Sequence, residues 1–364
     1  MRRAGETAGL ITSDAGRRGW ERAGDTYMEG AWMTKRDGTY YLQYAAPGTE
    51  LSTYCDGYCT GGSPLGPFEY SPHSPFSSKP GGFITAAGHG STFQDKHGNW
   101  WHAATMRISK AHKFERRLGL FPAGFDADGV LFCNQEFADY PMTIPDGPAG
   151  PWSLSAAWML LSYGCPATAS GSAPGHPPGL AIDEDIRTWW QAPDGDHGHW
   201  VSVELPAGAT VHAVQVSFAD DGLTPPEPGR DTRHGFPFPR LFRDGSPVRC
   251  LVEGSRDGSA WTTIHDARDD DSGRSHPYIE LADPGSYRHV RVTGFGQPYG
   301  VPLAVSGLRV FGAGAGKAPA AVTVTARRTG PLDARLTWTA AAGARGYNVR
   351  YGLSPGKLYH SGCR

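Results

Sequence analysis

No run of about 18 apolar residues occurs in this 364-residue chain, so no transmembrane helix is expected. The first residues, MRRAGETAGLITSDAG, are basic at the tip but have no apolar core, so they do not read as a signal peptide. An excess of one charge is also missing. Thirty-four Lys and Arg stand against 36 Asp and Glu, a formal net charge of −2. Without a basic stripe, a nucleic-acid partner is not expected. Cysteine is sparse: the six, at 55, 59, 133, 165, 250 and 363, show neither CxxC metal spacing nor a compact disulfide framework. If the stretch holding Cys55 and Cys59 is a regular strand, the two are too far apart to bridge. No long amphipathic helical pattern stands out.

What the chain does have is 50 Gly, 30 Pro, 11 Trp, 15 Tyr and 15 Phe. That composition suits many short strands joined by tight turns, an all-β class. Two stretches also read as one repeated unit. EGAWMTKRDGTYYLQYA runs from Glu29 to Ala45, and GHGSTFQDKHGNWWHAAT from Gly88 to Thr105. Aligning Asp37-Gly38 with His97-Gly98 puts Tyr40 and Tyr41 on Trp100 and Trp101, Gly30 on Gly90, and Glu29 on His89. A hairpin repeat of this length signals a β-propeller with one blade per repeat. The first strand of each blade lines the axis, so Glu29 and His89 are expected to face one pocket.

Three segments follow from the turn signals and linkers, at residues 1–148, 149–312 and 318–364. In the first, bulky side chains on both faces of Tyr40–Tyr44 and Trp100–Ala104 suggest strands covered on both sides. At about sixty residues per blade this segment makes two and a half blades, short of the roughly four to eight that close a ring. The expectation is that the chain is a fragment. The second opens with a Pro-rich linker, Cys165–Gly179. It continues in alternating strands such as TVHAVQVSFA and RHVRVTGF, as in a β-sandwich. Leu223–Ser246 reads as a long surface loop. The third, after the linker Gly312–Ala321, has the rhythm of half an immunoglobulin-like sandwich.

The first segment resembles the C-terminal half of glycoside hydrolase family 43, whose catalytic domain is a five-bladed propeller. The carrying motifs are EGAW (Glu29–Trp32) followed by YYLQYAAPG, then GHGSTFQD (Gly88–Asp95), then FERRLGLFPAGFDADG (Phe114–Gly129). The resemblance implies that Glu29 is the general acid, although Ala31 stands where the family motif has Pro. It implies that His89 sits at the axis, binding substrate or a calcium or sodium ion, and that Arg116 approaches the substrate. The second segment resembles the discoidin, or coagulation-factor type C, galactose-binding-like domain. GLAIDEDIRTWWQA matches its entry motif, and VEGSRDGSAWTTI and PLAVSGLRVFG its later strands. That likeness implies sugar binding and a structural calcium near Asp183 and Asp185. Glu184 replaces a usual Gly, and Gly307 replaces a frequent acidic ligand, against that calcium. The third segment resembles a truncated fibronectin type III module.

Glycoside hydrolysis with inversion needs a carboxylic acid to protonate the leaving oxygen and a second carboxylate to activate water. The family's base and tuning Asp belong to blades that precede the acid. Only Asp14 and Asp25 precede Glu29 here, and neither is assigned a role. The expected function is part of a modular inverting glycosidase acting on arabinose- or xylose-containing polysaccharide, with the base missing. The other reading is a non-catalytic carbohydrate-binding or adhesion protein with a propeller remnant. An extracellular location is inferred from the class. Taken alone, Glu29 is an ordinary strand-edge residue and His89 a loop histidine; the matched spacing and the motifs give them their expected roles. Trp100 and Trp101 read as blade packing. Trp189 and Trp200 read as core, and Trp190, His197 and His199 as loop residues able to meet a sugar.

Overall fold

The computed structural model describes residues 7–13, 19–23, 25–109, 116–219, 248–272, 274–317, 319–331 and 333–363. The loop expected at Leu223–Ser246 and the residue Asp14 lie outside them. The architecture is all-β, and no described helix is long and apolar enough to cross a membrane.

A short hairpin, β1 (Arg22–Ala23) and β2 (Asp25–Thr26), precedes two four-stranded antiparallel sheets. The first holds β3 (Glu29–Arg36), β4 (Thr39–Ala46), β5 (Cys55–Gly61) and β6 (Glu69–Tyr70) in sequence order. The second holds β7 (Thr85–Gln94), β8 (Trp100–Arg107), β9 (Arg116–Phe125) and β10 (Leu131–Cys133), again in order. Sequential up-and-down order is what one propeller blade has. The described residues thus form two blades. The two matched turns differ in how they close. Asp37 and Gly38 both take positive φ, 47° and 83°, the two-residue hairpin geometry that Asp-Gly favours. In the second blade the Asp95 carboxylate instead accepts the N–H groups of His97 and Asn99.

Burial on both faces explains why these strands lack alternation. Tyr41 to Ala46 are all buried in β4. Tyr44 is stacked by Trp20 and met edge-on by Tyr70. Between the blades, Tyr41, Tyr58, Phe76, Met106, Phe121 and Leu131 form one apolar cluster. Cys55, Cys59, Cys133, Cys165 and Cys250 are all buried.

Residues 149–312 form two packed sheets. One runs β11 (Met159–Leu160), β20 (Ala304–Ala313), β15 (Thr210–Phe218), β18 (Tyr278–Gly285), with β13 (Trp190–Gln191) also pairing β20. The other runs β12 (Ala167–Ala169), β14 (Trp200–Glu204), β19 (His289–Gly296), β16 (Arg249–Ser255), β17 (Trp261–Ala267). Their inner faces meet in an aliphatic core that includes Val203, Val214, Val252, Val292 and Leu308. Each such side chain contributes about 1.5–3 kcal/mol on burial. Trp190 belongs to this core, fully buried with its indole N–H donated to Gly171 O at 3.0 Å, rather than to a sugar-facing loop.

The C-terminal stretch makes two separate hairpins, β21 (Val324–Arg328) with β22 (Ala334–Trp338), and β23 (Asn348–Tyr351) with β24 (His360–Cys363). The loop and start of the second hairpin sit against the second blade. Lys357 reaches Asp126 at 2.5 Å and Asp128 at 2.8 Å, and Tyr359 stacks on Phe132 at 4.6 Å.

Candidate functional site

Glu29 opens β3, and His89 lies within β7, the first strands of the two blades. β7 crosses against β3, β4 and β5, which brings the two residues together. His89 Nδ1 is 3.6 Å from Glu29 Oε2, with both side chains part-exposed. The approach depends on glycine. Gly30 sits at φ +63°, and a Cβ there would stand 2.8 Å from the His89 ring.

The bend carrying His89 is strained. Ala86, Ala87 and His89 take φ of 77°, 144° and 53°. Such conformations cost roughly 1–3 kcal/mol each and collect at functional sites. The glycines on either side of His89 have a steric cause. A Cβ at Gly88 would come 2.6 Å from the Tyr54 ring, and one at Gly90 would come 2.3 Å from His102 Nε2.

Tyr54 was not singled out by its sequence context, and it is the closest partner of Glu29. Its hydroxyl donates to Glu29 Oε1 at 2.7 Å, and its side chain is otherwise buried. Burial, then the Glu29 hydrogen bond, push the Tyr54 phenol well above its ordinary range, so it stays a donor. The charge of Arg116 pulls the other way, which places its guanidinium near the same group. Arg116 opens β9, is exposed, and donates to Thr49 Oγ1 at 2.9 Å. Glu29, His89, Tyr54 and Arg116 therefore share one region. An acid, an imidazole, a phenol and a guanidinium together can donate and accept around a neutral, hydroxyl-rich ligand.

Residues 6–131 match the model for Glycosyl hydrolases family 43. This segment is similar to that family. A β-D-galactofuranosidase (xynD) of Aspergillus niger is 37% identical over 67 residues, 18% of this chain and 19% of that protein. The chain thus spans about a fifth of the curated relative it matches. Among solved structures, a glycoside hydrolase aligns over 78% of this chain and 60% of its own, with 19% identity and a TM-score of 0.42. A chitosan-binding module from a Paenibacillus sp. IK-5 chitosanase/glucanase aligns over 43% of this chain and 99% of its own, at 19% identity and TM-score 0.32.

Asp183 and Asp185 lie far along the chain, in the turn before β13. Asp183 accepts the Asp185 N–H at 3.0 Å and the Thr188 hydroxyl at 2.7 Å. Asp185 accepts a two-pronged contact from Arg187, 2.7 Å on each oxygen. Calcium takes six to eight oxygens. Among the described residues no group of three or more His, Cys, Asp or Glu is placed to hold a metal ion, at this turn or at His89. At this turn the carboxylate oxygens of Asp183 and Asp185 are already engaged by Thr188, the Asp185 N–H and Arg187. Of the loop residues considered for sugar contact, His199 is held between Ser170 and Asp194, at 2.9 and 2.8 Å. Trp100 and Trp101 pack within the blade: Trp101 is buried with its N–H on Asp95, and Trp100 meets Phe125 edge-on.

Proposed function

We propose that the two blades carry the acid side of an inverting glycosidase site, with Glu29 as the general acid. The observation behind this is the 3.6 Å approach of Glu29 and His89 from the first strands of adjacent blades. Tyr54 fixes one carboxyl oxygen of Glu29 and leaves the other, Oε2, on the His89 side. That oxygen is the one to carry a proton to the leaving group. His89 and Arg116 supply donors for sugar hydroxyls beside it. The water-activating carboxylate of an inverting enzyme stands about 6.5–9.5 Å from the acid. We assign it to no residue described here. Arabinose- or xylose-containing polysaccharide is the proposed substrate class, residues 149–312 the proposed carbohydrate-binding module, and the outside of the cell the proposed location.

A second reading is a carbohydrate-binding protein without turnover.

The test is turnover of aryl arabinofuranosides and xylosides by the chain, alone and joined to whatever blades its upstream genomic sequence encodes. Turnover abolished in Glu29→Gln, and partly kept for dinitrophenyl glycosides whose leaving group needs no proton, supports the acid role. Turnover indifferent to Glu29→Gln overturns it. No turnover in either form, with glycan binding by residues 149–312, establishes the second reading.

A further inference from the structure

Beneath the site lies a buried pair that the proposed chemistry leaves unused. Asp56 comes from β5 in the first blade and His102 from β8 in the second. Both are essentially inaccessible, and His102 Nε2 lies 2.9 Å from Asp56 Oδ2. The other ring nitrogen, Nδ1, is 2.9 Å from Thr92 Oγ1. Thr92 gives its one hydroxyl proton to Gln43 Oε1, at 2.7 Å. A hydroxyl has a single donor, so Nδ1 must be the donor to Thr92. The Nε2–Oδ2 contact therefore holds a further proton between the carboxylate and the ring. Burial raises the proton affinity of Asp56, against the pull of His102 and of two backbone N–H groups, which agrees with a shared proton.

Those two N–H groups belong to Gly90 and His89. Gly90 donates to Asp56 Oδ2 at 2.9 Å. The bend has no other anchor in its own sheet. The pairing of β7 with β8 jumps from Gly88↔Thr105 to Ser91↔Ala103, so His89 and Gly90 have no ladder partner. The buried Gly90 N–H needs an acceptor, and here the acceptor is a side chain of the neighbouring blade. The second oxygen, Asp56 Oδ1, is buried and has no hydrogen-bond partner. An orphaned carboxylate oxygen is costly, and an apolar residue would avoid that cost.

We infer that Asp56, backed by His102, is a positioning residue that holds the strained His89 bend and so sets the imidazole against Glu29. Its functional meaning rests on the reading of Glu29 as the acid. The geometry can be tested without turnover, so the two ideas can fail separately.

The experiment uses NMR on the whole chain. The His89 ring Cε1–H resonance is compared before and after Glu29→Gln, in the wild type and in Asp56→Asn. If Asp56 sets the imidazole beside Glu29, the response in Asp56→Asn is at least twofold smaller, while the Trp190 indole N–H stays in place. Asp56→Ala should lower it as much or more; should that variant fail to fold, Asp56→Asn keeps the volume and carries the test. A full-sized response in Asp56→Asn, even with lowered thermal stability, marks Asp56 as merely structural and overturns the inference. The wild type gives a further check. The Gly90 amide should exchange as slowly as ladder amides of β8, and its rapid exchange also overturns the inference.

Discussion

Arg309 and Glu184 meet through a two-pronged contact, Nε to Oε1 and Nη2 to Oε2, each 2.9 Å. Glu184 pays for it with a left-handed backbone, φ +62°, at the place where the resembling discoidin motif has Gly. The same guanidinium donates to Asp139 O at 2.8 Å and lies over Phe83 at 4.6 Å, both in the first segment. Phe83 in turn covers Gly307, where an acidic ligand is often found in that family. Both departures from the motif thus serve a clasp between sandwich and blades. Arg309→Ala leaves Glu184 part-buried without its partner and should lower unfolding free energy by about 3 kcal/mol, read by urea denaturation.

Gly307 tests the same seam from the other side. A Cβ there would come 2.5 Å from the Phe83 ring. Gly307→Ala should destabilise by roughly 1–3 kcal/mol. Phe83→Ala introduced on top should recover part of the loss if the clash is the cause, and calorimetry of both variants decides it.

Tyr54→Phe keeps the ring that packs on Gly88 and removes only the donor to Glu29. A loss of about 1 kcal/mol is expected, together with a shift of the Glu29 carboxyl carbon resonance. Gly88→Ala should cost more, because it drives a methyl into that ring. Denaturation curves rank the two.

His276 gives a pH dependence. It is half-buried, and its two enclosed ring nitrogens have no hydrogen-bond partner among the described residues. Burial, then the charge of Arg117, hold its pKa at about 3, below the ordinary 6.5. Between those values the unfolded chain binds a proton that the folded one refuses, so stability falls as pH falls. The slope from this group is at most about 1.4 kcal/mol per pH unit. His276→Leu should flatten the decline between neutral pH and pH 4, measured by denaturant titrations at several pH values.

The outline of the fold was legible because hairpin turns and aromatic runs are local. Asp37-Gly38 fixed the first repeat, and its match at His97-Gly98 carried Glu29 onto His89, which is how the two meet. TVHAVQVSFA and RHVRVTGF alternate as β15 and β19 do, since one face of each meets the aliphatic core. Tyr54 and Asp56 were not legible. Both sit in a stretch that draws the eye to Cys55 and Cys59, and their partners are 25 and 46 residues away. Trp190 was misread for a related reason: its strand pairs with β20, more than a hundred positions on. The third segment has the right strand rhythm, yet Lys357 and Tyr359 find their partners in the first.

That last attachment means chain order and spatial order part company. The polypeptide leaves the second blade, builds the sandwich, and returns to lay Tyr359 on Phe132 and Arg350 on Trp152. A protease that nicked the connector between residues 313 and 323 would cut the covalent thread without freeing the tail. Dissecting this protein into pieces by sequence alone would bare an aromatic seam on the remaining body.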